Sequence, residues 1–90
     1  MSKQDEILNI LQEECAEVIQ MVSKCRRFGI DNIHRKEGGT NRERLTEEVG
    51  DVLCMIKLMH DFDIIDLNAL EAACALKIEK LKKWSTIYET

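Results

Sequence analysis

KQDEILNILQEECAEVIQMVSKCRRFG, residues 3–29, decides the fold. Leu8, Leu11, Cys15, Val18, Val22 and Cys25 recur in it at intervals of three and four, the spacing of one helical face. The pattern predicts a helix from about Lys3 to Phe28. Gly29 supplies its stop, because glycine enters the backbone conformation that ends a helix without a Cβ clash. Further along, IDNIHRKEGG (residues 30–39) breaks the period and finishes in paired glycines, so it reads as a loop with room for a short helical turn. Thr40 with Glu43 three places on is a capping box that opens a second helix. The stripe of that helix is Leu45, Val49, Val52, Leu53 and Ile56, fading near His60. DFDIID (residues 61–66) reads as a turn, and Asp66 caps a third helix running to about Trp84 through Leu67, Leu70, Ala73, Cys74 and Leu81.

The chain is therefore expected to be all-α, a single domain over residues 1–90. No proline interrupts it, and Leu, Ile, Glu and Lys are abundant. A domain this short leaves roughly 40% of its unfolded surface exposed, so its core is thin. Cys15, Cys25, Cys54 and Cys74 lack CxxC spacing and sit among apolar neighbours, which predicts buried, reduced thiols and no stapling disulfide. Three apolar stripes without a staple point to a helical bundle completed by homo-oligomerisation, as a homodimer or homotetramer. The apolar runs are too short to cross a membrane and the N-terminal residues open no signal peptide, so a cytoplasmic location is expected. Seventeen acidic against thirteen basic residues give a net charge of −4, which opposes non-specific attachment to nucleic acid or anionic lipid. A polyanionic substrate then needs a cationic intermediary.

The acidic residues offer one. Glu13, Glu14 and Glu17 lie on the first helix; Glu47, Glu48 and Asp51 lie on the second. Like charges one turn apart cost about 0.2–0.5 kcal/mol each. Convergence of two such pairs to about 5 Å adds repulsions near 3 kcal/mol each at an effective dielectric of 20. Glu14 and Glu48 fall at the edges of their stripes, which places them where the two helices meet. A divalent cation relieves the repulsion, and hard oxygen donors select Mg²⁺, or Mn²⁺ in its place, over zinc or copper. A di-iron bundle requires Glu-x-x-His pairs, which neither helix has.

EECAE (Glu13 to Glu17) followed by EEVGD (Glu47 to Asp51) resembles the EExxE and ExxD signature of the MazG-like nucleoside triphosphate pyrophosphohydrolases, and the likeness runs through most of the chain. The resemblance implies an all-α enzyme with Glu14, Glu17, Glu48 and Asp51 as metal ligands, splitting a nucleoside or deoxynucleoside triphosphate into monophosphate and pyrophosphate. Glu13 or Glu47 is the candidate base or outer ligand. Thirty residues separate Glu17 from Glu48, long for such proteins; SKCRRFG (residues 23–29) and the following loop look like small phage-type members, some of which favour guanine nucleotides such as GTP or dGTP.

Four cations are candidates for the substrate phosphates. Lys77 lies inside the third helix's apolar stripe, Lys80 at its edge, and Lys24, with Arg27 beyond it, continues the face of Glu17. Their rival roles are a snorkelling stem for Lys77 and helix-dipole compensation for Lys24, Arg26 and Arg27. His34 and His60 read as surface or capping residues, Trp84 as packing, and Asn32 and Asn41 as side chains able to read base edges. Competing functions are a phosphoribosyl-ATP pyrophosphohydrolase-like enzyme and a non-catalytic helical interaction module whose acidic faces are simply solvated.

Overall fold

The computed structural model describes every residue except His34, Arg35 and Glu37. It is all-helical among those residues: α1 (Lys3–Phe28), α2 (Asn41–Asp61) and α3 (Leu67–Trp84). Among the described residues no helix is long and apolar enough to cross a membrane.

Local chemistry sets each boundary. Ser2 caps α1 by accepting from the Asp5 N–H, and Gly29, at φ 99°, ends it with its own N–H on the Cys25 carbonyl. The Thr40 hydroxyl accepts from the Glu43 N–H at 3.2 Å, as the capping box predicts, and the Asp66 carboxylate accepts from the Ala69 N–H at 2.9 Å. Ile30 and Asp31 turn the chain after α1, and Ile33 and Thr40 form an isolated antiparallel bridge. The histidine predicted as a surface or capping residue in this loop, His34, lies outside the described residues.

α1 and α2 form an antiparallel hairpin. Ile7, near the start of α1, packs with Met55 and Met59 near the end of α2, and Ile10, Leu11, Ile56 and Leu58 close around them. At the other end Asn41 is 4% exposed and straps the elements together. Its side chain donates to the Gly29 carbonyl at 2.9 Å, and its backbone N–H donates to the Asn32 carbonyl. Asn41 is thus a structural residue and not a reader of base edges, while the Asn32 side chain accepts from the Ile33 N–H. Asn41→Ala removes this side-chain hydrogen bond, while the Gly29 carbonyl keeps the Asn32 N–H, and is expected to cost about 0.5–1.5 kcal/mol, read from the urea midpoint at unchanged slope. The neighbouring Arg42–Asp31 ion pair, at 2.9 Å, holds the Asp31 carboxyl below its ordinary range through a guanidinium hydrogen bond. Both side chains are well exposed, so its removal is expected to cost little.

The buried register of α1 is displaced from the expected stripe. Ile7 and Met21 are buried and Ile10, Leu11, Val18 and Cys25 half-buried, whereas Leu8, Cys15 and Val22 are exposed. On α2 the core is Met55 and Met59 with Leu45, Val52 and Ile56 beside them; Val49 and Leu53 are about half exposed. The reason is that each helix carries two apolar stripes side by side, and only one of them faces its neighbour.

α3 packs along neither α1 nor α2 and contains no buried residue. The molecule is correspondingly flat and open, 39 × 39 × 14 Å, with a radius of gyration of 15.9 Å. About 12 Å is normal for this length. Two expectations fail for that reason. Trp84 does not pack but is 79% exposed, with the Lys83 ammonium 5.8 Å from its ring centroid. The thiols of Cys15, Cys54 and Cys74 are exposed rather than buried, and Cys25 is half-buried; all four are free.

Candidate metal centre

Seven-residue steps along the seam explain the site. On α1, Ile7, Glu14 and Met21 share one register; on α2, Asn41, Glu48 and Met55 do the same. In each trio the outer two residues are buried and the middle one is a half-buried glutamate. The hairpin therefore carries two carboxylates into the centre of its own core line, where apolar side chains would stabilise it more. Asp51, one turn after Glu48, turns toward the same point.

Carboxylate oxygens of Glu14, Glu48 and Asp51 all lie within 4.8 Å of one another. Partial burial raises the Glu14 carboxyl above its ordinary range, and the charges of Asp51 and Glu48, a hydrogen bond with Asp51 and the charge of Glu17 raise it further. Three acidic groups in such a space favour a shared proton or a cation. The donor set fits a hard divalent ion: all oxygen, drawn from two rigid helices, and only slightly wider than the about 4.2 Å between opposite ligands of octahedral magnesium.

The other acidic candidates stand outside this trio. Glu17 is exposed, one turn beyond Glu14, close enough to act on its charge. Glu13 is exposed, and Glu47 pairs with the Arg44 guanidinium at 3.4 Å. Of the four cations, Lys24 lies seven residues after Glu17 on the same side of α1. Arg27 sits over the Phe28 ring at 5.1 Å. Lys77 and Lys80 are exposed on α3, and because α3 leaves the hairpin a single chain does not bring them to the carboxylates. His60 is exposed in the last turn of α2.

One feature of the site escaped sequence reasoning. An apolar hollow of about 180 Å³, lined by Ile7, Ile10, Met55, Leu58 and Phe62 with Lys3 and Glu6 at its rim, opens one turn from the carboxylates. Ile10 precedes Glu14 by four residues and Met55 follows Asp51 by four, so hollow and carboxylates are continuous along the hairpin. The i, i+4 spacing was the available signal.

Neither a curated protein nor a solved structure matches the chain. Residues 2–84 match the MazG nucleotide pyrophosphohydrolase domain, a span that takes in all three helices and both acidic motifs. The chain belongs to the MazG nucleotide pyrophosphohydrolase family.

Proposed function

We propose that the protein hydrolyses a nucleoside or deoxynucleoside triphosphate to monophosphate and pyrophosphate with magnesium as its cofactor, working in the cytoplasm as a homo-oligomer. The convergence of Glu14, Glu48 and Asp51 from two helices carries this reading, and membership of the family supports it. Glu14, Glu48 and Asp51 would hold the ion, with Glu17 one turn away as a fourth carboxylate. Magnesium bound there supplies Lewis acidity and neutralises charge on the phosphates. Manganese would substitute.

The protein's own groups do the rest. An exposed carboxylate, of Glu13 or Glu47, next in the chain to Glu14 and Glu48, accepts the proton of the attacking water. Lys24, on the carboxylate side of α1, meets phosphate oxygens; Lys77, Lys80 and Arg27 are the further candidates. The hollow under Ile10, Leu58 and Phe62 offers the nucleoside an apolar surface one turn from the phosphates.

A panel of the common ribo- and deoxyribonucleoside triphosphates plus phosphoribosyl-ATP, with pyrophosphate detection under Mg²⁺ and Mn²⁺, tests the reading. Guanine nucleotides are expected among the best substrates. A preference for phosphoribosyl-ATP would move the protein to the rival enzyme class, and no turnover with any of them would favour the interaction module.

A further inference from the structure

The carboxylate seam continues as an apolar track. On α1, Lys3, Ile7 and Ile10 precede Glu14 by eleven, seven and four residues; on α2, Met55, Leu58 and Phe62 follow Asp51 by four, seven and eleven. Such steps hold side chains on one helical face, and the helices run antiparallel, so the two rows lie side by side. Together they line the hollow of about 180 Å³. Eleven residues of helix rise about 16 Å, a distance that an extended nucleoside triphosphate spans from base edge to phosphates.

The polar groups gather at the far end of the track. Phe62, 47% exposed, closes the α2 row, and Lys3 and Glu6 stand at the rim. Neither the Lys3 ammonium nor the Glu6 carboxylate is held by an ion pair or side-chain hydrogen bond to another described residue. Both are open to a ligand. The nitrogen that joins a purine to its sugar lies opposite the base-pairing edge, so a nucleotide with its phosphates at Glu14 turns that edge toward Lys3 and Glu6. A carboxylate only accepts hydrogen bonds, and an ammonium only donates them. Guanine alone among the common bases sets two neighbouring N–H donors beside a carbonyl on that edge. Adenine and cytosine offer one amino group beside an acceptor nitrogen, and uracil and thymine a single N–H.

We propose that Glu6 and Lys3 select guanine. The Glu6 carboxylate accepts from the ring N–H and the amino group, the Lys3 ammonium donates to the carbonyl, and the ring lies on Ile10, Leu58 and Phe62. This rests on the nucleotide reading of the carboxylate site and adds the groups that choose its base.

Calorimetric titration of the full chain with the α,β-methylene analogues of GTP, ITP and ATP, in millimolar magnesium, reads base choice without turnover. Wild-type protein is expected to bind the GTP analogue at least about tenfold tighter than the ITP analogue, which lacks the amino group, and than the ATP analogue. Glu6→Gln turns an NH2 toward guanine's donors, and an amide also suits adenine, so the two affinities should come within about threefold of each other. Asp5→Asn removes another first-turn charge, one that does not line the hollow, and should keep the wild-type preference. Equal affinities in the wild type, no binding of any analogue, an undiminished guanine preference in Glu6→Gln, or an equal loss in Asp5→Asn would each overturn the proposal. The hydrolase reading fails separately. Guanine-selective binding that depends on Glu6, in a protein that does not cleave GTP, would support the base site and remove the enzyme.

Discussion

A Glu14→Gln, Glu48→Gln double variant will melt at the same temperature with and without millimolar magnesium, whereas the wild type will be stabilised. At a concentration 100 times its dissociation constant, an ion that binds only the folded state adds about 2.7 kcal/mol. The variant keeps the volume of both side chains and deletes two of the three charges that converge at the seam. Without metal it should be the more stable protein at neutral pH. The sign follows from Glu14: its folded carboxyl is raised, so the stability it contributes is present below its unfolded value and is lost as pH rises through the folded one. At neutral pH the ionised group is a liability, and glutamine removes it. The advantage should vanish toward acid pH, where Glu14 is protonated in the wild type as well. Turnover should fall by roughly 10³-fold, the consequence of losing several kcal/mol of charge stabilisation. Equal stabilisation of wild type and variant by magnesium, in a differential scanning experiment, would remove the metal from this seam.

Lys77→Met is expected to cut kcat/KM by roughly 10²-fold, the scale of a single electrostatic contact to a developing charge. Methionine preserves most of the stem and removes the ammonium, so the melting temperature and oligomeric mass should hold. Lys77 lies in register with Leu70, Cys74 and Leu81, on a helix that leaves its own hairpin. Within one chain α3 does not bring it to the carboxylates, so the proposed phosphate contact requires the site of a neighbouring copy. A Lys77→Met protein that turns over at the wild-type rate would make this lysine a structural stem. Lys24, already on the carboxylate side, would then be the phosphate contact.

The three helices were legible in the sequence because their ends are local chemistry. Gly29, the Thr40–Glu43 pair and Asp66 act within one turn, and each stands where its residue type predicts. The core was less legible. On α1 the stripe through Leu8, Cys15 and Val22 is as apolar as the one through Ile7, Val18 and Met21, and periodicity alone does not say which faces the neighbouring helix. Glu14 completes the buried register, and a pattern that counts only apolar residues passes over it. The clue lay in the heptad spacing of Ile7, Glu14 and Met21 and of Asn41, Glu48 and Met55, which places a glutamate midway along both sides of one seam.

Residue type and spacing marked six acidic residues, the resemblance to the MazG-like enzymes singled out four of them as ligands, and the carboxylates of three, Glu14, Glu48 and Asp51, meet. Glu17 stays a turn outward because it lies about 60° from the seam register. α3 was legible as a helix but not in its packing, since an amphipathic stripe fits any apolar partner, in the same chain or another. The buried thiols and packed Trp84 were expected from apolar neighbours and core spacing along the chain, and neither signal says whether a facing element covers them; in the single chain Cys15, Cys54, Cys74 and Trp84 are exposed.

Phosphorus NMR of a guanosine triphosphate reaction with the wild-type protein and magnesium tests the central claim most directly. The carboxylate seam of α1 and α2, in a MazG-family chain, is proposed to release pyrophosphate in one step. The spectrum should show monophosphate and pyrophosphate rising together, with no diphosphate, and the Glu14→Gln, Glu48→Gln protein should leave the triphosphate intact. Diphosphate and inorganic phosphate as the first products, or pyrophosphate release undiminished in the double variant, would contradict it.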